Sequence, residues 1–128
     1  MPYTFEVAIA PDPMRVAQTR RIAVAFLRYR AVPAPVAEDV VVAVSELVTN
    51  AIEHGQGAVS LRMRHADHEV LVEVTDDSPV PARLRTAAAH HVRGRGLFLV
   101  AALAQERWGV TNEGRTTWAV FRVPQGRS

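Results

Sequence analysis

Glu46 and Asn50 stand four residues apart in the run Ser45-Glu46-Leu47-Val48-Thr49-Asn50-Ala51-Ile52-Glu53-His54-Gly55. That spacing is close to one helical turn, so a carboxylate and a carboxamide leave the same face. The carboxylate can orient or deprotonate a hydroxyl or water. The neutral amide oxygen can hold a divalent cation without cancelling its charge. With Glu46 as the zero of a helical wheel, Asp39, Ala43, Asn50 and Glu53 gather beside it, while Val40, Val44, Leu47, Val48, Ala51 and Ile52 cover the remainder. An ordinary amphipathic helix with its polar stripe in water has the same pattern. A chemical role therefore needs support from elsewhere in the chain.

Two further segments supply it. In Val74-Thr75-Asp76-Asp77-Ser78-Pro79-Val80-Pro81, acidic residues leave a strand and enter a proline-containing turn. A carboxylate there can accept a hydrogen bond from an exocyclic amine such as that of adenine, and the small Ser78 lets a flat base approach the backbone. Asp-Asp-Ser-Pro is also a good turn sequence in its own right. In Val92-Arg93-Gly94-Arg95-Gly96-Leu97, two glycines open an apolar helix. Glycines permit close backbone approach, and the amides of a helix N-terminus favour a phosphate. This Gly-x-Gly does not follow a strand of a βαβ unit, so the dinucleotide fingerprint does not apply. With no Lys anywhere in the chain, a Walker A loop is excluded in its usual form.

The elements that must position these residues follow from periodicity. Tyr3 to Ile9 alternates and reads as a strand that Pro11 and Pro13 end. Asp12 is the expected N-cap of a helix from Pro13 to about Arg30 that buries Val16, Ile22, Ala23, Phe26 and Leu27. A second helix is expected from Pro35 to His54, closed by Gly55. Ala58 to Arg64 and Glu69 to Asp76 alternate cleanly as two strands around a His65-Ala66-Asp67-His68 turn. Ser78 to His91, without firm periodicity, reads as a loop with room for a short helix. An apolar helix from Leu97 to about Glu106 comes next, then strands at Trp108 to Thr111 and Thr116 to Val123 around the turn Asn112-Glu113-Gly114-Arg115. The order β, α, α, β, β, loop, α, β, β implies an α+β two-layer sandwich, a mostly antiparallel mixed sheet covered on one face by helices.

Composition narrows the function classes. The 128 residues suit one domain, and 48% hydrophobic with 22% charged residues suits a single core. No apolar run reaches the roughly 18 residues of a membrane span, and the N-terminus lacks a signal-peptide pattern. The expected location is the cytoplasm, with no membrane association. Absence of cysteine removes disulfides and thiolate metal sites. All 15 basic residues are Arg, so any basic contact to phosphate must come from Arg. The formal charge is only +2, and no aromatic-basic motif points to nucleic acid. The pairs His65 with His68 and His90 with His91 lack further ligands for a metal. His54 reads as packing at its helix end, Trp108 and Trp118 as sheet residues, and the arginines of the first helix as solvated.

Taken in chain order, the three segments resemble the adenine-nucleotide site of the superfamily of DNA gyrase, heat-shock chaperones, histidine kinases and mismatch-repair ATPases, the Bergerat fold. Glu46 to Gly55 is especially similar to the compact branch of anti-sigma factor serine/threonine kinases and their actinobacterial relatives, and the resemblance covers nearly the whole chain. It implies ATP and Mg²⁺. Glu46 would position or deprotonate the attacking hydroxyl or water, and Asn50 would coordinate the Mg²⁺ that bridges the phosphates. Asp76 would bind the adenine amino group, with Ser78 beside the base. Gly94 and Gly96, with Arg95 and Leu97, would close over the phosphates. Thr117 or its neighbour Thr116 would help hold Asp76 and a water on the base. The chain departs from the family at Ser78, where Gly is usual, at Pro79-Val80-Pro81, which lacks a second Gly, and at Val92, where Arg is usual. The last leaves Arg93 or Arg95 for the γ-phosphate.

The implied function is transfer of the ATP γ-phosphate to a small antagonist protein, with a sigma factor as a further partner and a homodimer as the assembly. The alternative is a nucleotide-dependent partner-binding switch that transfers phosphate slowly or never. Intact Glu46 favours the kinase, whereas the altered segment at Ser78 favours the switch. A free-standing histidine-kinase catalytic domain fits less well, since the chain has no room for the helical domain that presents a phosphoaccepting His.

Overall fold

A computed structural model describes residues 1–78, 95–111 and 113–124. The strands are β1 (Tyr3–Ile9), β2 (Val59–Ala66), β3 (Glu69–Thr75), β4 (Trp108–Thr111) and β5 (Thr116–Arg122). The helices are α1 (Arg15–Tyr29), α2 (Ala34–His54) and α3 (Arg95–Leu103). The five strands form one sheet in the order β1-β2-β3-β5-β4, and every pairing among them is antiparallel. The expected element order and two-layer α+β architecture are both present.

Period-two alternation decides which side of the sheet meets the helices. One cross-strand row is Phe5, Met63, Val72, Ala119 and Trp108, and the next is Val7, Leu61, Val74, Thr117 and Val110. From these rows Leu61, Met63, Val72, Val74 and Ala119 are buried beside Val40, Val44, Leu47 and Val48 of α2. Glu6, Arg62, Glu73 and Trp118 form a row on the opposite face, where Arg62 Nη1 lies 2.6 Å from Glu73 Oε1. Helix α2 is the centre of the helical layer, packed between α1 and α3 and over β2, β3 and β5.

Local chemistry moves several expected boundaries. Asp12 does bond the start of the first helix, but its Oδ1 accepts from Met14 N at 2.9 Å in a turn, and α1 begins two residues later than Pro13. Val16 and Ile22 are only half-buried. Thr19 takes a buried place on that helix because its hydroxyl donates to the Arg15 carbonyl at 2.8 Å. The α1 terminus closes without glycine. Ala31 N donates to Arg28 O and Val32 N to Leu27 O, both at 3.0 Å, with Ala31 at φ 56°. This is the Schellman pattern, with buried Val32 against Leu27 as its apolar contact. The β2–β3 turn has Asp67 and His68 at φ 53° and 65°, the two positive values of a type I′ turn that suits the sheet twist. Helix α3 begins at Arg95 rather than Leu97 and stops at Leu103, followed by Gln105 and Glu106 at positive φ. The expected loop beyond Ser78 and the turn residue Asn112 lie outside the described residues. No helix among the described residues is long and apolar enough to cross a membrane.

The N-terminal edge is held by aromatic and polar contacts. Phe26 packs on Phe5 and Tyr3 with ring centroids 4.9 and 5.9 Å apart, and the Arg30 guanidinium lies 5.5 Å from the Tyr3 ring centre. Arg30 Nε donates to His65 Nδ1 at 2.9 Å, and its Nη2 donates to the Met1 carbonyl. Burial, then the adjacent Arg30 charge, holds the His65 imidazolium below its ordinary pKa.

Two stability outcomes follow. Ala31→Gly removes the left-handed strain on an L-residue and should stabilise the fold by about 1 kcal/mol, read as a higher urea midpoint at an unchanged m-value. For His65 the unfolded chain binds the proton more readily. Its contribution is therefore present above about pH 6.5 and is lost as pH falls toward the depressed folded value. His65→Asn keeps an acceptor for Arg30 and removes the titration, so denaturation across that window should show a flatter pH dependence than the parent.

Candidate functional site

Helix α2 does not carry its polar residues as a water-facing stripe. Ala43, which shares the face of Asp39, Glu46 and Asn50, is fully buried, whereas the apolar Val42 is 39% exposed. Glu46 and Asn50 are themselves half-buried, one turn apart, in a helix whose Val44, Leu47, Val48 and Ala51 are in the core. An ordinary amphipathic stripe centred on Glu46 and Asn50 would leave Ala43 exposed with them; instead the Ala43 edge of that face is turned inward and its Val42 edge outward.

The end of α2 and the end of β3 meet directly. Gly55 N donates to Ala51 O at 2.9 Å and closes the helix. Its φ of −90° is open to any residue, so conformation does not demand glycine here. Space does, because a Cβ at position 55 would lie 2.4 Å from Ala51 O and 2.6 Å from Asp76 Cγ. One residue on, Asp77 N donates to Gln56 O at 2.8 Å. Gly57, at φ +69°, brings the chain so close that a Cβ would sit 2.6 Å from Asp77 Oδ2. The loop Gly55-Gln56-Gly57 thus seats both acidic residues. From the sequence alone Gly55 reads only as a helix terminator, and this second role is not apparent. The Gly-x-Gly spacing after the helix was the signal available.

Asp76 itself is only 2% exposed, as is Ser78. Its backbone N–H donates to Arg115 O at 3.0 Å, which ties it to the start of β5, and its Oδ1 accepts from Ser78 N at 2.7 Å. The carboxylate is therefore oriented before any ligand arrives. A buried carboxylate is strongly disfavoured unless hydrogen-bonded, and the Ser78 amide meets part of that requirement. The position keeps the phase of Val70, Val72 and Val74 and so lies on the helix side of the sheet.

The alternation also separates the two candidate threonines. Thr117 pairs with Val74 on the helix side and is 4% exposed. Thr116 pairs with Thr75 on the other side, where the two hydroxyls share a hydrogen bond of 2.8 Å. Thr117 is therefore the one on the Asp76 side. Of the glycine-rich segment, Arg95 and Gly96 open α3, and Leu97 is buried in the core with Val100 and Ala104. Arg93 and Gly94 lie outside the described residues. His54 ends α2 with its Nε2 buried, 3.8 Å from Glu53 Oε1 and without a hydrogen-bond partner among the described residues. His65 is engaged by Arg30, and no cluster of metal-binding side chains occurs among the described residues.

The donor set matches an adenine nucleotide with a divalent cation. An oriented carboxylate suits an exocyclic amine, Thr117 offers a hydroxyl on the same side, and an amide beside a carboxylate suits a cation near phosphates. A family model described as histidine kinase-like ATPase domain matches residues 9–121. No curated protein matches the chain. Among solved structures, the chain is similar to the crystal structure of the RsbU and RsbW domains of Rv1364c from Mycobacterium tuberculosis. The TM-score is 0.75 at 20% identity, over 97% of this chain and 33% of that one. The chain thus spans a third of the length of that neighbour, and at this identity the likeness concerns the fold. The family match spans all of α1 and α2, the Asp76 turn and nearly all of β5, and on that extent the chain belongs to the histidine kinase-like ATPase domain family.

Proposed function

We propose that this domain binds ATP with Mg²⁺ and acts as an anti-sigma-type serine/threonine kinase on a small antagonist protein. The observation that carries this reading is the junction of α2 with β3, where an acid and an amide one turn apart lead to a glycine packed on the buried Asp76. Asp76 accepts from the adenine amino group, with Thr117 beside it on the helix side of the sheet. Asn50 supplies the protein ligand to Mg²⁺, which when bound neutralises charge on the phosphates. Glu46 takes the proton of the acceptor hydroxyl as that oxygen bonds to the γ-phosphorus and the bond to ADP breaks. Arg95, with Gly96 and Leu97 at the start of α3, and Arg93 with Gly94 before it, serve the phosphate end. A sigma factor and a second copy of the chain are the other partners this reading names.

A domain that binds nucleotide but switches a partner without phosphate transfer is the second reading. It is favoured by Ser78, whose side chain occupies a buried position where glycine is usual in the family.

Calorimetric titration should show binding of ATP with Mg²⁺ and none of GTP, since the Asp76 carboxylate accepts from an amine and repels a carbonyl. Equal binding of both, or of neither, would overturn the assignment of Asp76. Asn50→Ala should remove the Mg²⁺ dependence of nucleotide binding while leaving the circular dichroism of the fold unchanged. Glu46→Gln should lower phosphate transfer to an antagonist by about 10²-fold or more while changing ATP affinity little. Tight ATP binding with no transfer by the parent chain would select the switch.

A further inference from the structure

Strand β1 is an edge of the sheet, and β2 is the one strand bonded to it among the described residues. Their pairing runs without a bulge from Tyr3 opposite His65 to Ile9 opposite Val59. In an antiparallel pair alternate residues turn their N–H and C=O groups to the partner strand, so the residues between them turn theirs outward. Among the described residues nothing bonds to these outward groups of Tyr3–Ile9. The usual protections of an edge are sparse here. No proline or lysine lies between Tyr3 and Ile9, and Glu6 is the one charged residue.

A groove of about 310 Å³ opens beside the second half of this edge. Four consecutive residues, Val7 to Ala10, form one wall. Successive side chains of a strand face opposite sides of the sheet, so four in a row line one groove through the edge of the backbone. The other wall is the face of α1 that carries Arg15, Gln18 and Ile22, turned away from Arg20, Arg21 and Arg28. Val7 and Ile22 are half-buried and apolar. Arg15 is the one ionisable side chain of the lining, and its Nη1 donates to Gln18 Oε1 at 3.1 Å along that wall. Asp12, the nearest acid in sequence, lies outside the lining, and its Oδ1 accepts from Met14 N at 2.9 Å. The groove thus joins a free strand edge to an apolar wall and one cation.

We propose that an extended segment of a partner protein adds to β1 as a further edge strand, with alternate apolar side chains turned into the groove and a carboxylate beside Arg15. Main-chain bonds to the free edge supply affinity, and pockets for alternate side chains supply selection. A second copy of the chain fits poorly. Antiparallel pairing of β1 with itself about Glu6 sets carboxylate against carboxylate. The side chains it would turn toward the groove, Phe5 and Ile9 among them, are already packed in its own core. The cross-strand row Ala8, Ser60 and Thr75 puts the groove at the Asp76 end of the sheet, two strands over. Capture of the segment does not depend on nucleotide, so its failure leaves the ATP reading standing.

The experiment is fluorescence anisotropy of the whole chain, without nucleotide, against labelled peptides slightly longer than β1. The first alternates valine and threonine, with glutamate in place of the central valine; the second has arginine in place of that glutamate. Two more repeat the first with N-methyl groups on alternate amides, in one phase or the other. The glutamate peptide should bind and the arginine peptide should not. One phase of N-methylation should abolish binding and the other should leave it, because only one set of amides faces β1. Arg15→Glu, at an exposed position, should weaken the glutamate peptide at least about tenfold and admit the arginine peptide. Gln18→Trp, also at an exposed position, should fill the groove and remove binding while leaving the circular dichroism unchanged. No binding of the glutamate peptide, an equal response to both phases of N-methylation, or indifference to Arg15→Glu would overturn the proposal. So would concentration-dependent self-association lost on Gln18→Trp, because a second copy would then be the occupant.

Discussion

The packing of α2 on every side but one is the constraint from which the site follows. Its four large buried side chains, Val40, Val44, Leu47 and Val48, meet the sheet and the flanking helices. At about 1.5–3 kcal/mol each, their burial contributes roughly 6–12 kcal/mol before entropy is counted. That exceeds the roughly 1–3 kcal/mol penalty of partly desolvating a polar group. The helix can therefore hold Glu46 and Asn50 half-buried at a fixed rotation. Had those two residues decided the rotation, both would face water and Ala43, on the same face, would be exposed with them.

The second constraint is steric. The absence of a side chain at Gly55 lets the end of α2 rest on the Asp76 carboxylate, and Gly57 does the same for Asp77. Backbone bonds from Asp76 to Arg115 and from Asp77 to Gln56 then join β3 both to β5 and to the α2–β2 loop. Orientation of the carboxylate is thus a property of the backbone around it. A preset acceptor in a buried position can discriminate an amine from a carbonyl without reorganising, which is the general advantage of preorganised polar groups. The same junction links two sequence segments separated by more than twenty residues.

Most of the fold was legible because its signals are local. Alternation marked β1 at its observed bounds, and Pro35 with Gly55 bracketed α2 to within one residue. The type I′ turn at Asp67 and His68 sat inside the expected turn segment. Misses came where a nonlocal or side-chain bond competed with the pattern. The Asp12 side chain made a turn before α1 rather than a cap at its first residue. Thr19 entered the core by satisfying its hydroxyl on its own helix. At the end of α1 a left-handed alanine did what glycine usually does, and no residue type announced it.

By itself the sequence determined that an acid and an amide share a helix face, that an acidic turn follows a strand, and that a glycine pair marks the start of a third helix. Those are consequences of the periods 3.6 and 2 and of residue chemistry. It left Thr116 and Thr117 equivalent, because adjacent strand residues differ only in which side of the sheet they face. The β3–β5 register decided between them, setting Thr117 against Val74 toward the helices and bonding Thr116 to Thr75 on the other face. Only the tertiary structure turned Gly55 from a helix terminator into the seat of Asp76. Close approach between distant segments depends on how the whole core packs, and no local pattern encodes it.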